Sequence, residues 1–68
     1  MTLDEYLRQS LHGERRRIAR ALGVSESTVH RWRRGQSMPA RKTIMEIDYQ
    51  TAGRVSPSDW FDAIANRE

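Results

Sequence analysis

Arg15-Arg16-Arg17-Ile18-Ala19-Arg20-Ala21-Leu22-Gly23-Val24-Ser25-Glu26-Ser27-Thr28-Val29-His30-Arg31-Trp32-Arg33-Arg34-Gly35 reads as a helix, a tight turn and a second helix. Ala19 is small where two helices have to approach closely. Gly23 follows four residues later, in the turn, and supplies the positive φ that a tight turn needs. Val24 plugs the turn, and Ser25 is a good N-cap for the helix that follows. Val29 and Trp32 face inward and pack that helix on the rest of the chain. Gly35 is placed as the residue just beyond its end.

Similar punctuation organises the flanks. The glycines fall at 13, 23, 35 and 53 and the prolines at 39 and 57, and five short helical segments lie between them. The first is expected over about Leu3–Leu11, opened by a Thr2/Glu5 capping box. Leu3, Leu7 and Leu11 form its apolar stripe, and Gly13 ends it. The second runs from about Glu14 to Leu22, with Ile18, Ala19 and Leu22 inward. The third follows Ser25 and ends near Arg34. The fourth starts near Pro39, with Ala40, Ile44, Ile47 and Thr51 as its stripe and Gly53 as its stop. In the fifth, Ser56 is the N-cap, Pro57 takes the first helical position, and Asp59 completes a box-like start. Trp60, Phe61 and Ile64 share a face. No useful run of period-2 alternation predicts a strand, and there is no repeat, low-complexity tract or long linker. The expected fold is all-α, one domain over residues 1–68.

With 68 residues the chain is at most one domain, and its 37% hydrophobic and 31% charged residues fit a folded unit with a thin core. It has no cysteine, so no disulfide or cysteine-ligated zinc can staple it, and an intracellular setting is expected. No apolar run is long enough to span a membrane. The acidic start, Met1 to Glu5, lacks the basic region and apolar run of a signal peptide, so the expected location is the cytoplasm of a bacterial or host cell, with the nucleoid.

The net charge is +3, but its distribution says more. Residues 8–42 hold ten of the twelve basic groups against only Glu14 and Glu26, while both ends are net acidic. Eleven of the twelve are arginine, whose planar fork of donors suits phosphate and guanine edges as lysine does not. A surface kept soluble by charge is the plainer reading; the asymmetry points to a polyanion partner.

The spacing of small residue, glycine at +4, β-branched residue at +10 and large apolar residue at +13, carried by Ala19, Gly23, Val29 and Trp32, resembles the helix-turn-helix of the lambda-repressor and Cro type of phage regulators. The motif spans about residues 15–34. Thr51-x-Gly53-x-Val55-x-Pro57-x-Asp59, preceded by Ile47-Asp48, resembles the post-motif helix and linker of small Cro-like and YdaS-like proteins of phages and prophages. Together the two stretches cover roughly residues 15–59. The resemblance implies a five-helix DNA-binding domain of the lambda-repressor-like kind.

The residues agree with that implication. Opposite Val29 and Trp32 the third helix shows Glu26, Ser27, His30, Arg31 and Arg34, the candidates for base contact. Ser27, Arg31 and Arg34 form one hydrogen-bonding stripe, and recognition helices present their N-terminal residues to base edges in the major groove. Arg31 is best placed for a two-pronged bond to guanine. Glu26 either accepts from a cytosine amino group or is a favourable charge at a helix N-terminus. Arg15, Arg16, Thr28, Arg33, Gln36, Ser37, Arg41 and Lys42 flank the helix and are the candidate phosphate contacts, with Thr28 alternatively turned to the side. Arg17 and Arg20 are expected to be solvated charges.

Trp32 at an inward position reads as core and not as a base-stacking platform. Met45, Tyr49 and Trp60 are candidates for self-association, with Trp60 and Phe61 alternatively part of the core. His12 and His30 are the only histidines, no acidic pair or cysteine is spaced for catalysis, and no phosphate-binding glycine loop occurs, so no enzyme, metal or cofactor is expected. The expected activity is transcription regulation, as a repressor dimer on a palindromic operator of double-stranded DNA. The alternative is an antitoxin-type or adaptor protein whose main partner is another protein, such as a toxin or polymerase subunit.

Overall fold

The computed structural model describes the backbone of residues 1–65 and the side chains of residues 1–61. Five helices follow one another, α1 (Leu3–Gln9), α2 (Glu14–Leu22), α3 (Glu26–Arg33), α4 (Arg41–Gln50) and α5 (Pro57–Ala65), and no strand occurs among the described residues. The fold is all-α.

Local chemistry explains most of the boundaries. Thr2 Oγ1 accepts from the Glu5 amide at 3.1 Å while Glu5 Oε1 accepts from the Thr2 amide at 2.8 Å, a complete capping box. The backbone amide of Thr2, with its side chain, holds the Glu5 carboxyl below its ordinary pKa. Ser25 Oγ accepts from the Thr28 amide and caps α3. At the start of α5, Asp59 Oδ2 accepts from both the amide and the hydroxyl of Ser56.

Helices α2, α3 and α4 end in the same way. The Val24, Gln36 and Gly53 amides reach back five residues, to the carbonyls of Ala19, Arg31 and Asp48. The residue before each, Gly23, Gly35 and Ala52, is left-handed, with φ of 71°, 72° and 55°. This is the Schellman pattern, which favours glycine at the left-handed position. In α4 an alanine stands there, one residue before the Gly53 expected to stop the helix.

Helix α2 is central: it packs on α3 and on α4, while α1 lies against α3 and α5 against α4. Leu3, Tyr6, Ile18, Ala19, Val29, Trp32, Ile44, Ile47, Val55 and Trp60 form one core, with Leu7, Leu22 and Val24 packed on it. Thr51 is buried among them. Its hydroxyl donates to the Ile47 carbonyl at 2.8 Å and accepts from the Val55 amide at 3.1 Å, tying the end of α4 to the linker.

Several expectations are corrected. Helix α1 stops at Gln9, where the Ser10 hydroxyl turns back to the Tyr6 carbonyl, so Leu11 lies beyond the helix and is 90% exposed. Tyr6 takes the core place instead. Gly13, with φ of 97°, opens α2 in place of closing α1. Pro39 is buried before α4, not within it, and the exposed Ala40 is the N-cap, outside the stripe. Phe61 is exposed although Trp60 beside it is buried. The side chain of Ile64 lies outside the described residues.

Two substitutions test this packing. Ala19 is 2% exposed at the core, so Ala19→Leu should overpack it and destabilise by about 1–3 kcal/mol, read as a lower Tm. Ala52→Gly should act the other way. Relief of a left-handed alanine, worth about 1–2 kcal/mol, exceeds the roughly 0.4–1 kcal/mol by which glycine favours the unfolded chain. A Tm unchanged by Ala19→Leu, or lowered by Ala52→Gly, would contradict these placements.

Candidate nucleic-acid interface

With Val29 and Trp32 in the core, the opposite side of α3 faces solvent. Ser27, His30, Arg31 and Arg34 are exposed. A groove of about 410 Å³ is lined by Arg15, Glu26, Ser27, His30, Arg31 and Gln36, so four of the five residues expected to meet bases converge there with two expected to meet phosphate. Arg34 lies at the other end of α3, in an adjoining groove with Arg33.

Glu26 has a structural task. Its carboxylate oxygens accept from Nε of Arg15 and Nε of Arg16, each at 3.3 Å, so the first turn of α3 is bridged to the first turn of α2. Burial opposes ionisation, but the guanidiniums of Arg16 and Arg15 outweigh it and hold the carboxyl below its ordinary pKa. Glu26 therefore aims two cations that flank α3.

Arg33 is half-buried, and its guanidinium binds Asp4 Oδ1 at 3.0 Å through both Nε and Nη2, which fastens α3 to α1. Thr28 is half-buried, with its hydroxyl 3.0 Å from that of Ser25. Ser37 and Gln36 lie on the turn after α3, and Arg41 and Lys42 are exposed in the first turn of α4. Of the residues considered for self-association, Met45 and Tyr49 are exposed, whereas Trp60 is buried in the core of the same chain.

One network escaped the sequence reading. Arg17, expected to be solvated, donates from Nε and Nη2 to the two oxygens of Glu14, each at 2.7 Å, and from Nη1 and Nη2 to the side chain and carbonyl of Gln50. The Tyr6 hydroxyl donates to Glu14 as well. Helices α1, α2 and α4 are thus joined by one carboxylate and one guanidinium. The i,i+3 spacing of Glu14 and Arg17 was the available signal; the partners Tyr6 and Gln50 leave none.

Residues 7–37 match the family described as homeodomain-like domains. The match starts within α1, covers α2, the turn and α3 whole, and ends on the turn before α4. No characterised protein and no solved structure matches the chain. The helix-turn-helix arrangement of α2, Gly23 and α3 agrees with this match, which is to a helix-turn-helix class of DNA-binding domain. No group of three or more metal-ligating side chains occurs among the described residues, and none of their helices is long and apolar enough to cross a membrane.

The Glu14 network carries a pH signature. Arg17 holds the Glu14 carboxyl below its ordinary value of 4.5, against partial burial and with help from the Tyr6 hydroxyl. A lowered folded-state pKa means that the stabilisation is complete above 4.5 and is lost as pH falls through the lower folded value. Glu14→Gln should therefore lower Tm at neutral pH and flatten its fall on acidification. Parallel Tm curves for the variant and the parent would remove Glu14 from the acid response.

Proposed function

We propose that this protein is a sequence-specific regulator of transcription, a Cro-like repressor of phage or prophage type that binds a palindromic operator as a homodimer. One observation carries the reading. A polar stripe of Ser27, Arg31 and Arg34 stands exposed on a helix whose other face is locked into the core. Such a helix presents a fixed pattern of donors to the major groove.

The supporting features come from either side of α3. Arg15 and Arg16, aimed by Glu26, suit one phosphate strand, and Gln36, Ser37, Arg41 and Lys42 suit the other. The exposed apolar side chains Met45 and Tyr49 favour self-association through α4. A two-fold pair of such motifs reads half-sites about 10 base pairs apart, one helical turn.

Selection from random duplex DNA, followed by titration across salt, tests this reading. With about four to six phosphate contacts per protomer, a dimer should give a slope of log K against log salt of roughly −7 to −11. Arg31→Ala should cost about 1–3 kcal/mol on the selected operator and relax preference at one base pair per half-site. Arg41→Ala should weaken operator and random duplex by similar factors, because phosphate carries no base identity. A salt slope near zero would overturn DNA binding. Equal losses on every sequence for both variants would make Arg31 a backbone contact.

A further inference from the structure

We propose that the groove between α1 and α3 is an additional seat for the DNA backbone, with Arg8 as a phosphate contact outside the helix-turn-helix itself. The inference rests on the DNA-binding reading and extends it to α1.

The groove, about 460 Å³, is lined by Asp4, Arg8, Arg15, His30, Arg33 and Arg34. Arg8 and Asp4 come from α1, Arg15 from α2, and His30, Arg33 and Arg34 from α3 and its C-cap, and Arg8 reaches the other cations because α1 packs against α3. Asp4 organises that junction. Its Oδ1 binds Arg33 at 3.0 Å, and its Oδ2 forms an ion pair with Arg8, 3.1 Å from Nε. One lining carboxylate thus faces four lining guanidiniums. Glu26 takes a share of Arg15, and Arg34 has no carboxylate partner among the described residues. The groove keeps a positive excess that the fold does not neutralise.

Arg8 is suited to an outside ligand. Its side chain is 74% exposed, and it meets Asp4 as an ion pair at Nε with no hydrogen bond to another residue among the described ones. A guanidinium carries five N–H donors, so most remain for a phosphate oxygen. Position is the second argument. Arg15 and His30 line both this groove and the neighbouring one that holds Ser27 and Arg31, so the two are continuous. A helix lying in the major groove is bounded on each flank by a sugar-phosphate strand. With the stripe at Ser27 and Arg31 toward the bases, the α1 side of α3 lies toward one of those strands. The ligand class is a phosphodiester, read for charge and position and not for sequence.

The full chain, Arg8→Gln, Arg8→Lys and Asp4→Asn are titrated with the selected operator and with random duplex across salt, with Tm measured for each. Arg8→Gln is expected to keep the parent Tm, to weaken both duplexes several-fold by the same factor, and to make the salt slope shallower by about 0.9 per protomer. Arg8→Lys, which keeps the charge, should retain the slope. Asp4→Asn removes the competing carboxylate and should tighten random duplex several-fold; if it fails to fold, the two Arg8 variants still decide. An unchanged affinity and slope for Arg8→Gln, with operator binding by the parent intact, overturns the seat and leaves the regulator reading standing. A loss confined to the operator overturns it too, since Arg8 would then read bases. If the parent chain binds no duplex at all, the regulator reading falls and takes the seat with it.

Discussion

Burial of Val29 and Trp32 fixes the roll of α3, and the outward direction of its polar residues follows. An eight-residue helix is marginal in water, because nucleation is costly and few backbone bonds follow it. Tertiary burial supplies what propensity does not: Val29 is fully buried and Trp32 nearly so. Full burial of an apolar side chain of the size of valine is worth about 1.5–3 kcal/mol. Ser27, His30, Arg31 and Arg34 are left outside because the helix has only one apolar side. The core sets the geometry of the candidate interface without contributing an atom to it.

The arginines divide into two populations. Arg17 is held by Glu14 and Gln50, Arg33 by Asp4, and Arg15 and Arg16 by Glu26. Arg31, Arg34 and Arg41 have no carboxylate partner among the described residues. Exposed ion pairs contribute about 0–1 kcal/mol each, so the first group does not make the fold stable by charge alone. Its effect is orientation. The Arg15, Arg16 and Arg33 pairs, and Arg17 through Gln50, each join two helices, and each places its guanidinium at a defined site beside α3 or behind it. The second group keeps its donors for an acceptor outside the chain.

How much of this was legible in the sequence depends on distance along the chain. The Thr2/Glu5 box, the Ser25 cap, the Gly23 and Gly35 terminations and the Val29/Trp32 face are set by residues a few positions apart, and α2 was readable to the residue. Leu11 misled because its spacing from Leu3 and Leu7 is helical while the chain turns away at Ser10. Ala52 was hidden because Gly53 beside it is the expected residue for a left-handed position. Pairings between Arg33 and Asp4, or Arg17 and Gln50, join residues about thirty positions apart and exist only once the helices have packed. The homeodomain-like match agrees with the motif as a class and leaves the narrower Cro-like resemblance resting on the spacings of Ala19 to Trp32 and Thr51 to Asp59.

The start of α4 breaks local rules that α1 and α3 obey. Ala40 caps it without a side-chain hydrogen bond, its first turn has no acid, and Arg41 and Lys42 stand there instead. A missing polar cap costs about 0.5–2 kcal/mol, and cations at the positive end of a helix dipole are unfavourable by about 0.3–1 kcal/mol each. Helices α1 and α3 each open with a side-chain cap and an acid in the first turn, so the chain has the means to start a helix well. Local defects of this kind concentrate where function demands them. An anion beside Arg41 and Lys42 would reverse both penalties at once, accepting from the uncapped amides and neutralising the cations. The proposed backbone contact on that side of α3 thus accounts for a sequence choice that stability alone disfavours.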